Sequence, residues 1–209
     1  MKRVAVLAVQ GAFVEHERRI RALGCETVEL RQAADLDRPF DALVLPGGES
    51  TVQAKLLREQ GMLDGLRERV AAGLPVLGTC AGLILLAAYV EEGIPAAGDP
   101  NAPVSAGATA PGAIGTLPVT VRRNAYGRQL GSFRTEAPCV GLGEGGAAKA
   151  VPMTFIRAPF ITEVHAGAEI LAEVDGRVVA VRSGNQIGVA FHPELDDDPS
   201  IHELLVGLA

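Results

Sequence analysis

Apolar and polar residues alternate in blocks along the first half of the chain, and this pattern predicts buried strands separated by helices. Short, continuous apolar runs predict strands at residues 3–9, 27–30, 41–45 and 75–78. Apolar residues recur at helical spacing between and after these runs, at residues 14–23, 51–60, 62–72 and 81–90. Strands buried on both faces lack the polar alternation of a half-exposed sheet. We therefore expect an α/β fold, a three-layer sandwich with a mostly parallel central sheet flanked by helices.

The second half of the chain is richer in strands. They are predicted at residues 117–123, 170–174, 178–182 and 187–191, with a closing helix at about 199–208. Asp175 and Gly176 lie between two of these strands and predict a tight hairpin turn. The segment from Gly93 to Gly115 is rich in Ala, Gly and Pro and has little periodicity, which predicts a long surface loop. Because we find no internal repeat and no linker, residues 1–209 are expected to form a single domain.

Composition and charge narrow the classes of function. Hydrophobic residues make up 48% and charged residues 21% of the 209, a balance typical of a packed soluble protein. The net charge of -6 argues against a general nucleic-acid or anionic-membrane surface. The apolar runs at residues 4–9 and 83–90 are too short for a secretory signal or a membrane span. Three cysteines without a C-x-x-C pair favour a reducing cytoplasm over a disulfide framework.

Cys80 is the most informative residue, because it stands between glycines where a predicted strand meets a predicted helix. Residues 78–82 are Gly-Thr-Cys-Ala-Gly. This is the pattern of a nucleophile elbow, with cysteine in place of serine. The thiol would lie at a helix N-terminus, whose dipole favours a thiolate. The alternative is a buried structural thiol, and we prefer that interpretation for Cys25 and Cys139 only.

His192 is the best candidate for the base that such a nucleophile needs. It ends an apolar strand, and Pro193 biases it toward extended geometry. In an extended segment Glu194 projects to the same side as His192, where it can orient the imidazole as the third member of a triad does. A surface turn is the alternative, but the elbow cysteine favours the catalytic interpretation.

The other three histidines are weaker candidates for this role. His16 and His202 lie in polar helical contexts, and we expect both to be solvated. His165 follows a strand-like segment and precedes Ala-Gly, which makes it a weak candidate for the base.

A glycine-rich loop at residues 46–51, Pro-Gly-Gly-Glu-Ser-Thr, lies between a predicted strand and a predicted helix. Its consecutive glycines expose backbone N–H groups that attract negative charge. A phosphate-binding role is weakly supported, because no Walker lysine follows and the spacing is not G-x-G-x-x-G. Half of an oxyanion hole, completed by the backbone N–H of Ala81, fits the nucleophile better. A plain turn capped by Ser50 or Glu49 is the remaining alternative.

Taken together, these motifs resemble those of class I (triad) glutamine amidotransferases. More narrowly, the chain resembles the PdxT/SNO family, the glutaminase subunits of pyridoxal 5′-phosphate synthase. The blocks that carry the resemblance are LAVQGA at 7–12, PGGEST at 46–51, GTCAGLILLA at 78–87, RNAYGRQ at 123–129, FIRAP at 155–159 and FHPEL at 191–195. The blocks around the triad indicate only the superfamily, whereas those that contain Arg123 and Arg157 indicate the narrower family. The resemblance implies a flavodoxin-like fold of the class I amidotransferase type.

The resemblance also implies an activity and a set of site residues. A triad of Cys80, His192 and Glu194 would hydrolyse L-glutamine to L-glutamate and ammonia through a glutamyl thioester, without a cofactor or a metal. The residues that would hold glutamine and its oxyanion are Gly47, Gly48, Glu49, Ala81, Arg123, Ile156 and Arg157. Gln10 would lie near the interface with a synthase subunit, which would use the ammonia to make pyridoxal 5′-phosphate in a large heteromeric complex.

Three alternatives remain open at this level. Another amidotransferase complex would share the triad but not the blocks at Arg123 and Arg157. A cysteine hydrolase of the same fold would share the elbow without the glutamine-site residues. A non-enzymatic module has the least support, because the triad is complete.

Overall fold

A computed structural model of the chain describes residues 1–94, 105–123 and 132–209. The helices are α1 (Phe13–Ala22), α2 (Ser50–Glu59), α3 (Leu63–Ala71), α4 (Ala81–Leu86) and α5 (Ser200–Leu208). The strands are β1 (Arg3–Leu7), β2 (Glu26–Leu30), β3 (Ala42–Leu45), β4 (Val76–Thr79), β5 (Ala87–Ile94), β6 (Ser105–Pro111), β7 (Leu117–Arg122), β8 (Ser132–Cys139), β9 (Lys149–Ile156), β10 (Phe160–Val164), β11 (Glu169–Val174), β12 (Arg177–Ser183) and β13 (Gln186–Val189). Short 3₁₀ turns occupy Ala33–Asp37, Glu144–Gly146 and Pro193–Leu195.

The central sheet has seven strands in the order β11-β12-β13-β4-β3-β1-β2. β1 pairs in parallel with β2 and β3, and β4 pairs in parallel with β3 and β13. β11, β12 and β13 are joined by antiparallel pairing at one edge. The predicted α/β fold with a mostly parallel sheet is therefore confirmed. Because β4 and β13 are parallel neighbours, the residues that follow them emerge side by side at one edge of the sheet.

The strands at the centre of this sheet are buried along nearly their whole length. Residues 4–7 of β1 and all of β3 and β4 are buried, which explains their continuous apolar sequences. α1 packs beside β1 and β2, α4 lies against β3 and β4, and α5 lies against the same two strands. Among the described residues, no helix is both long and apolar enough to cross a membrane.

Two smaller sheets extend the central body. β10, β7, β5 and β6 form a four-stranded sheet in that order, and β8 pairs with β9 in an antiparallel hairpin. The hairpin packs toward the central sheet through Phe155, whose ring lies 5.8 Å from that of Phe191. Asp175 and Gly176 form the predicted tight turn between β11 and β12, and both have positive φ.

The structure corrects the helix predicted at residues 81–90. The helix ends at Leu86, and Ala87 begins β5, which pairs with β6 and β7. A short apolar run has the same appearance in a buried helix and in a buried strand. Tyr89 and Val90 are residues that favour strands, and here the available partner strands decide the outcome.

The surface loop predicted from Gly93 to Gly115 is also wrong at its ends. Residues 93–94 belong to β5 and residues 105–111 form β6, which pairs with β5. Residues 95–104 lie outside the described part of the chain. The small residues of β6 gave no strand-like alternation, and its position follows from pairing with β5.

Candidate active site

Cys80 occupies the sharp connection between β4 and α4. Its backbone has φ 49° and ψ -101°, a conformation that costs energy for any residue with a side chain. Its N–H donates to the carbonyl of Val189 in the neighbouring strand, at 2.9 Å. The turn needs the flanking glycines, since a Cβ on Gly78 would collide with the backbone of Gly82, and one on Gly82 with the carbonyl of Leu45. This is the strained strand-to-helix geometry of a nucleophile elbow.

His192 and Glu194 follow β13 and lie beside Cys80. The Nδ1 atom of His192 is 2.7 Å from Oε1 of Glu194, and both side chains are buried. The backbone N–H of His192 donates to the carbonyl of Thr154 in β9, at 2.8 Å, which fixes the start of the turn. Because Nδ1 faces Glu194, Nε2 is the ring nitrogen that remains for the hydrogen bond between His192 and Cys80.

The protonation of these groups follows from their contacts. Burial acts to lower the pKa of His192, but hydrogen bonds to Cys80 and Glu194 and the charges of both raise the pKa to about 10. Burial acts to raise the pKa of Glu194, but His16 and His192 beside it hold that pKa below its ordinary value. At neutral pH the pair therefore consists of an imidazolium and a carboxylate.

A pocket of about 240 Å³ opens above Cys80. It contains most of the residues that the sequence predicted for the site: Gln10, Gly48, Glu49, Cys80, Ala81, Arg123, Ile156, Arg157 and His192. Sequence reasoning missed three further lining residues: Ser50, Ile84 and Pro159. Of the predicted residues, Glu194 lies behind the imidazole. Gly47 lies so close to His192 that a Cβ at this position would overlap the ring.

The residues that follow β1 hold the glycine loop in place through hydrogen bonds. The carbonyl of Gly47 accepts a hydrogen bond from the N–H of Ala12, at 3.1 Å. The backbone N–H of Glu49 donates to Oε1 of Gln10, at 2.8 Å. Since the C=O and N–H of a trans peptide point in opposite directions, the N–H of Gly48 is directed away from Ala12. Gln10 is thus a support of the loop as well as a lining residue of the pocket.

Gln53 is a second support of this loop that sequence reasoning missed. Its side chain is fully buried, and its Nε2 donates to the carbonyl of Gln10 at 3.0 Å and to that of Pro46 at 3.2 Å. It lies four residues after Glu49, on the helix face that turns toward the loop. This four-residue spacing could have indicated from the sequence that Gln53 faces the loop.

Arg123 and Arg157 enter the pocket from different elements. The guanidinium of Arg123 donates to Oγ1 of Thr51 at 2.8 Å and lies 3.8 Å from Oε1 of Glu49. Arg157 follows β9 and adopts a positive φ of 45°, so the chain turns sharply where this side chain joins the pocket wall. The carbonyl of Ile156, the residue before it, lies 3.9 Å from Sγ of Cys80. Residues 124–129 of the predicted arginine block lie outside the described part of the chain.

The expectation that His16 and His202 are solvated is wrong. Both are fully buried, and Nδ1 of His16 lies 2.9 Å from Nε2 of His202. Nε2 of His16 faces Oε2 of Glu194 at 3.3 Å. His16 lies four residues before the buried Ile20, and this helical spacing could have placed it on the inner face of α1. His165 lies apart from the pocket and bonds Oγ1 of Thr120 at 2.9 Å. Cys25 and Cys139 are buried free thiols, as predicted.

Comparison with known proteins extends this description. The model of the SNO glutamine amidotransferase family matches residues 6–208. The chain is 53% identical over 204 residues to a protein of Desulfitobacterium hafniense strain Y51, covering 98% of this chain and 92% of the relative. It is 49% identical over 201 residues to a protein of Methanocorpusculum labreanum, covering 96% and 94%. Both relatives are described as pyridoxal 5′-phosphate synthase subunit PdxT.

Solved structures agree with the fold. A crystal structure of a glutamine amidotransferase superposes with a TM-score of 0.81 at 39% identity, covering 98% of this chain and 97% of the other. The structure of PurLQS from Thermotoga maritima superposes with a TM-score of 0.64 at 14% identity, covering 99% and 98%, a likeness of fold alone. Because the family model matches residues 6–208 of the 209, this chain belongs to the SNO glutamine amidotransferase family.

Proposed function

We propose that this chain hydrolyses L-glutamine to L-glutamate and ammonia with Cys80 as the nucleophile, and that it supplies the ammonia to a synthase subunit that makes pyridoxal 5′-phosphate. The observation that carries the proposal is the buried set of Cys80, His192 and Glu194 at the base of a pocket bordered by the glycine loop. The relatives described as pyridoxal 5′-phosphate synthase subunits support the identity of the synthase.

The first half of the reaction forms a thioester. The Cys80 thiolate attacks the side-chain amide carbon of glutamine, and the carbonyl electrons move onto the oxygen. When the tetrahedral intermediate collapses, the C–N bond breaks and the nitrogen takes a proton from the His192 imidazolium, so ammonia leaves. The raised pKa of His192 suits this step, because the ring carries its proton before the attack.

The second half regenerates the thiolate. His192, now neutral, takes a proton from water as the water oxygen attacks the thioester carbonyl. The new intermediate expels the Cys80 sulfur, and glutamate leaves. Glu194 keeps Nδ1 of His192 protonated and the ring oriented throughout, and it stabilises the charged form of the ring.

The oxyanion of both intermediates would be held by the backbone N–H groups of Gly48 and Ala81. Removal of one such donor raises the barrier by about 3–4 kcal/mol in hydrolases of this kind. The loop that carries Gly48 is tied to Gln10 and Ala12 by two hydrogen bonds, which support the loop beside Cys80. Gly47 contributes by its lack of a side chain, which lets the loop approach the imidazole.

The pocket walls suit the α-amino acid end of glutamine. A guanidinium group binds a carboxylate in a bidentate manner, and Arg123 and Arg157 are the two that face this pocket. The carboxylate of Glu49 suits the α-ammonium group of the substrate. Ile156 contributes the carbonyl beside Sγ and part of the wall.

The partner and the location complete the proposal. The chain would act as a single domain in the cytoplasm, in a large heteromeric complex with the synthase subunit. Gln10 would lie near the interface with that subunit, so partner binding could act on the glycine loop through the contact of Gln10 with Glu49. The chain itself would need no cofactor or metal.

Ammonia release from glutamine, compared between the unaltered chain and Cys80→Ala, tests the hydrolysis. Cys25→Ala is a matched control, because it removes a buried thiol on another part of the chain. We expect activity to be lost in the first variant and kept in the second. Unchanged ammonia release in Cys80→Ala would refute the assignment of the nucleophile.

Amide-¹⁵N glutamine tests the transfer of ammonia. The chain is mixed with a pyridoxal 5′-phosphate synthase subunit and its phosphosugar substrates, and we expect the label in the pyridine ring of the product. Ammonium salts are the positive control for the synthase. If ammonium supports synthesis and glutamine with this chain never does, the proposed partner is wrong, even if glutamine is hydrolysed.

A further inference from the structure

Two buried histidines lie directly behind Glu194, on the side away from His192. Nε2 of His16 is 3.3 Å from Oε2 of Glu194 and 3.2 Å from Oγ1 of Thr79. Nδ1 of His16 is 2.9 Å from Nε2 of His202. His16 and His202 are fully buried and Glu194 is 3% exposed, so no solvent reaches these contacts. A continuous buried polar chain therefore runs from α5 through α1 to the triad.

Burial and the neighbouring groups decide which ring nitrogens of His16 and His202 carry protons. Burial lowers the pKa of His202 to about 3, and burial also lowers that of His16, so both rings are neutral near pH 7. A neutral imidazole has one N–H and one lone pair. The Glu194 carboxylate is an acceptor only, so the N–H of His16 belongs on Nε2 and its Nδ1 accepts from Nε2 of His202.

The environment of Nδ1 of His202 agrees with this assignment of protons. Nδ1 of His202 has no hydrogen-bond partner within the described residues. In the assignment above it carries only a lone pair, which is less costly to bury than an unpaired N–H. The opposite tautomers would bury an unpaired N–H on His202 and would turn the lone pair of His16 toward the carboxylate. The Nε2–H of His16 is thus the donor presented to Glu194 and Thr79.

Glu194 needs such a donor. Its Oε1 is taken by His192, whereas its Oε2 has no regular hydrogen bond within the part of the chain that the structure describes. A buried carboxylate that lacks a compensating donor is costly, and it either takes up a proton or turns away. The Nε2–H of His16 lies beside this oxygen, and the charge of Glu194 also acts on His16.

The backbone near Glu194 is held separately from its side chain. Nε of Arg19, one turn after His16 on α1, donates to the carbonyl of Glu194 at 3.2 Å, and its Nη2 bonds Asp197 at 3.1 Å. Removing the His16 imidazole leaves these contacts in place. A variant at His16 should therefore change the carboxylate more than the path of the chain.

We propose that His16 is a positioning residue for the hydrolysis, which holds the Glu194 carboxylate against His192, and that His202 fixes the tautomer of His16 in which Nε2 carries the proton. This inference rests on the proposed function of the triad. Without the donor on His16, Glu194 would bind His192 less well, and His192 would hold its proton less tightly. The loss would therefore appear in kcat and in the reactivity of Cys80, and not in the binding of glutamine.

The test compares three substitutions with one control. His16→Gln keeps an amide N–H at about the reach of imidazole Nε2, His16→Asn has an amide too short to reach Glu194, and His16→Leu has no donor. Glu17→Gln is the matched control, because Glu17 is the next residue on α1, is also buried and pairs with Arg21 away from the triad. Glutaminase kcat and KM, the pH dependence of Cys80 alkylation by iodoacetamide, and thermal melting are measured for each.

We expect kcat to fall about 10–100-fold in His16→Leu and His16→Asn, part of the 10²–10⁴-fold that a positioned acid–base group contributes. KM should stay within about twofold, since the substrate pocket is untouched. His16→Gln should recover most of kcat, and the alkylation profile should shift in the Leu and Asn variants but not in Glu17→Gln. Where His16→Leu does not melt cooperatively, the Gln and Asn variants decide the test.

Two outcomes distinguish a wrong role for His16 from a wrong function for the triad. Equal kcat and equal alkylation profiles in the Gln and Asn variants, with Cys80→Ala inactive, would overturn the role of His16 and leave the proposed hydrolysis intact. Glutamine hydrolysis that persists in Cys80→Ala would overturn the function on which the inference rests, whatever the His16 variants show.

Discussion

The contact between Gly47 and His192 leads to a sharp prediction for Gly47→Ala. A Cβ at residue 47 would overlap Cε1 of the His192 ring and would lie 2.9 Å from its Nδ1, where ordinary van der Waals contact begins at 3.4 Å. Gly47 does not have the positive φ that strains residues with side chains, so the methyl group acts through its contacts, and the three nearest atoms all belong to the His192 ring. The ring or the loop must therefore move by at least about 0.5 Å at Nδ1, and further at Cε1.

A displacement of this size reaches the catalytic geometry. It would stretch the 2.7 Å bond between Nδ1 and Glu194 and move Nε2 relative to Cys80. A misplacement of about 1 Å can cost about 10²-fold in rate, which corresponds to about 2.7 kcal/mol. We therefore expect kcat for glutamine to fall about 100-fold in Gly47→Ala, with a cooperative thermal transition retained.

Gly207→Ala is the matched control for this prediction. A Cβ at residue 207 meets no atom within 4 Å, and the residue lies in α5, where alanine is the better helix former. Steady-state ammonia release is measured for both variants. If Gly47→Ala keeps kcat within about twofold of Gly207→Ala, the loop does not approach His192 in the working enzyme and the steric argument fails.

Three further predictions follow from buried groups. Asp196→Ala should lower the free energy of unfolding in urea by about 1–3 kcal/mol, because the buried carboxylate accepts from the N–H and hydroxyl of Thr154 at 3.1 and 3.0 Å; an unchanged urea midpoint would contradict this. Burial lowers the pKa of His202 to about 3, so the unfolded chain binds a proton there from about pH 6.5 downward while the folded chain does not. The free energy of unfolding should fall as the pH drops from about 6.5 to 3, and His202→Gln should make this fall smaller, as measured by urea titrations at several pH values. The same dependence on pH in both proteins would refute the assignment. Burial raises the pKa of Cys139 to about 11, so brief alkylation at pH 8 should label Cys80 and leave Cys139 unmodified by mass spectrometry until denaturant is added.

The sequence predicts the central sheet because its strands are buried on both faces. Residues 4–7 and the strands β3 and β4 are apolar except for Thr79 at the end of β4, and this pattern can be recognised without knowledge of the neighbouring elements. The elbow at Cys80 is equally local, since the glycines at residues 78 and 82 are required by contacts within a few residues of the nucleophile and with β3. The same holds for His192 and Glu194, which are two residues apart in an extended segment.

The predictions that were wrong depended on distant partners. Residues 87–94 could extend a helix or form a strand, and pairing with β6 and β7 decided for the strand. The β8–β9 hairpin was not predicted: Val151, Met153 and Phe155 of β9 are buried in alternation, but Pro152 stands between them, and proline is unusual inside a strand. His16 and His202 were taken as solvated because polar neighbours surround each of them in sequence. Their burial depends on each other and on Glu194, across 186 residues.

The pairing of His16 with His202 has a consequence for the order in which the protein becomes active. Synthesis on the ribosome produces Cys80 and the strands β1 to β4 first, and β13, His192, Glu194 and α5 follow much later. Until that helix docks, His16 lacks the partner that selects its tautomer, and Glu194 lacks a reliable donor. A chain in which α5 has not docked would therefore hold Cys80 in its elbow while Glu194 is not held against His192. The docking of α5 would then be the step that completes the triad.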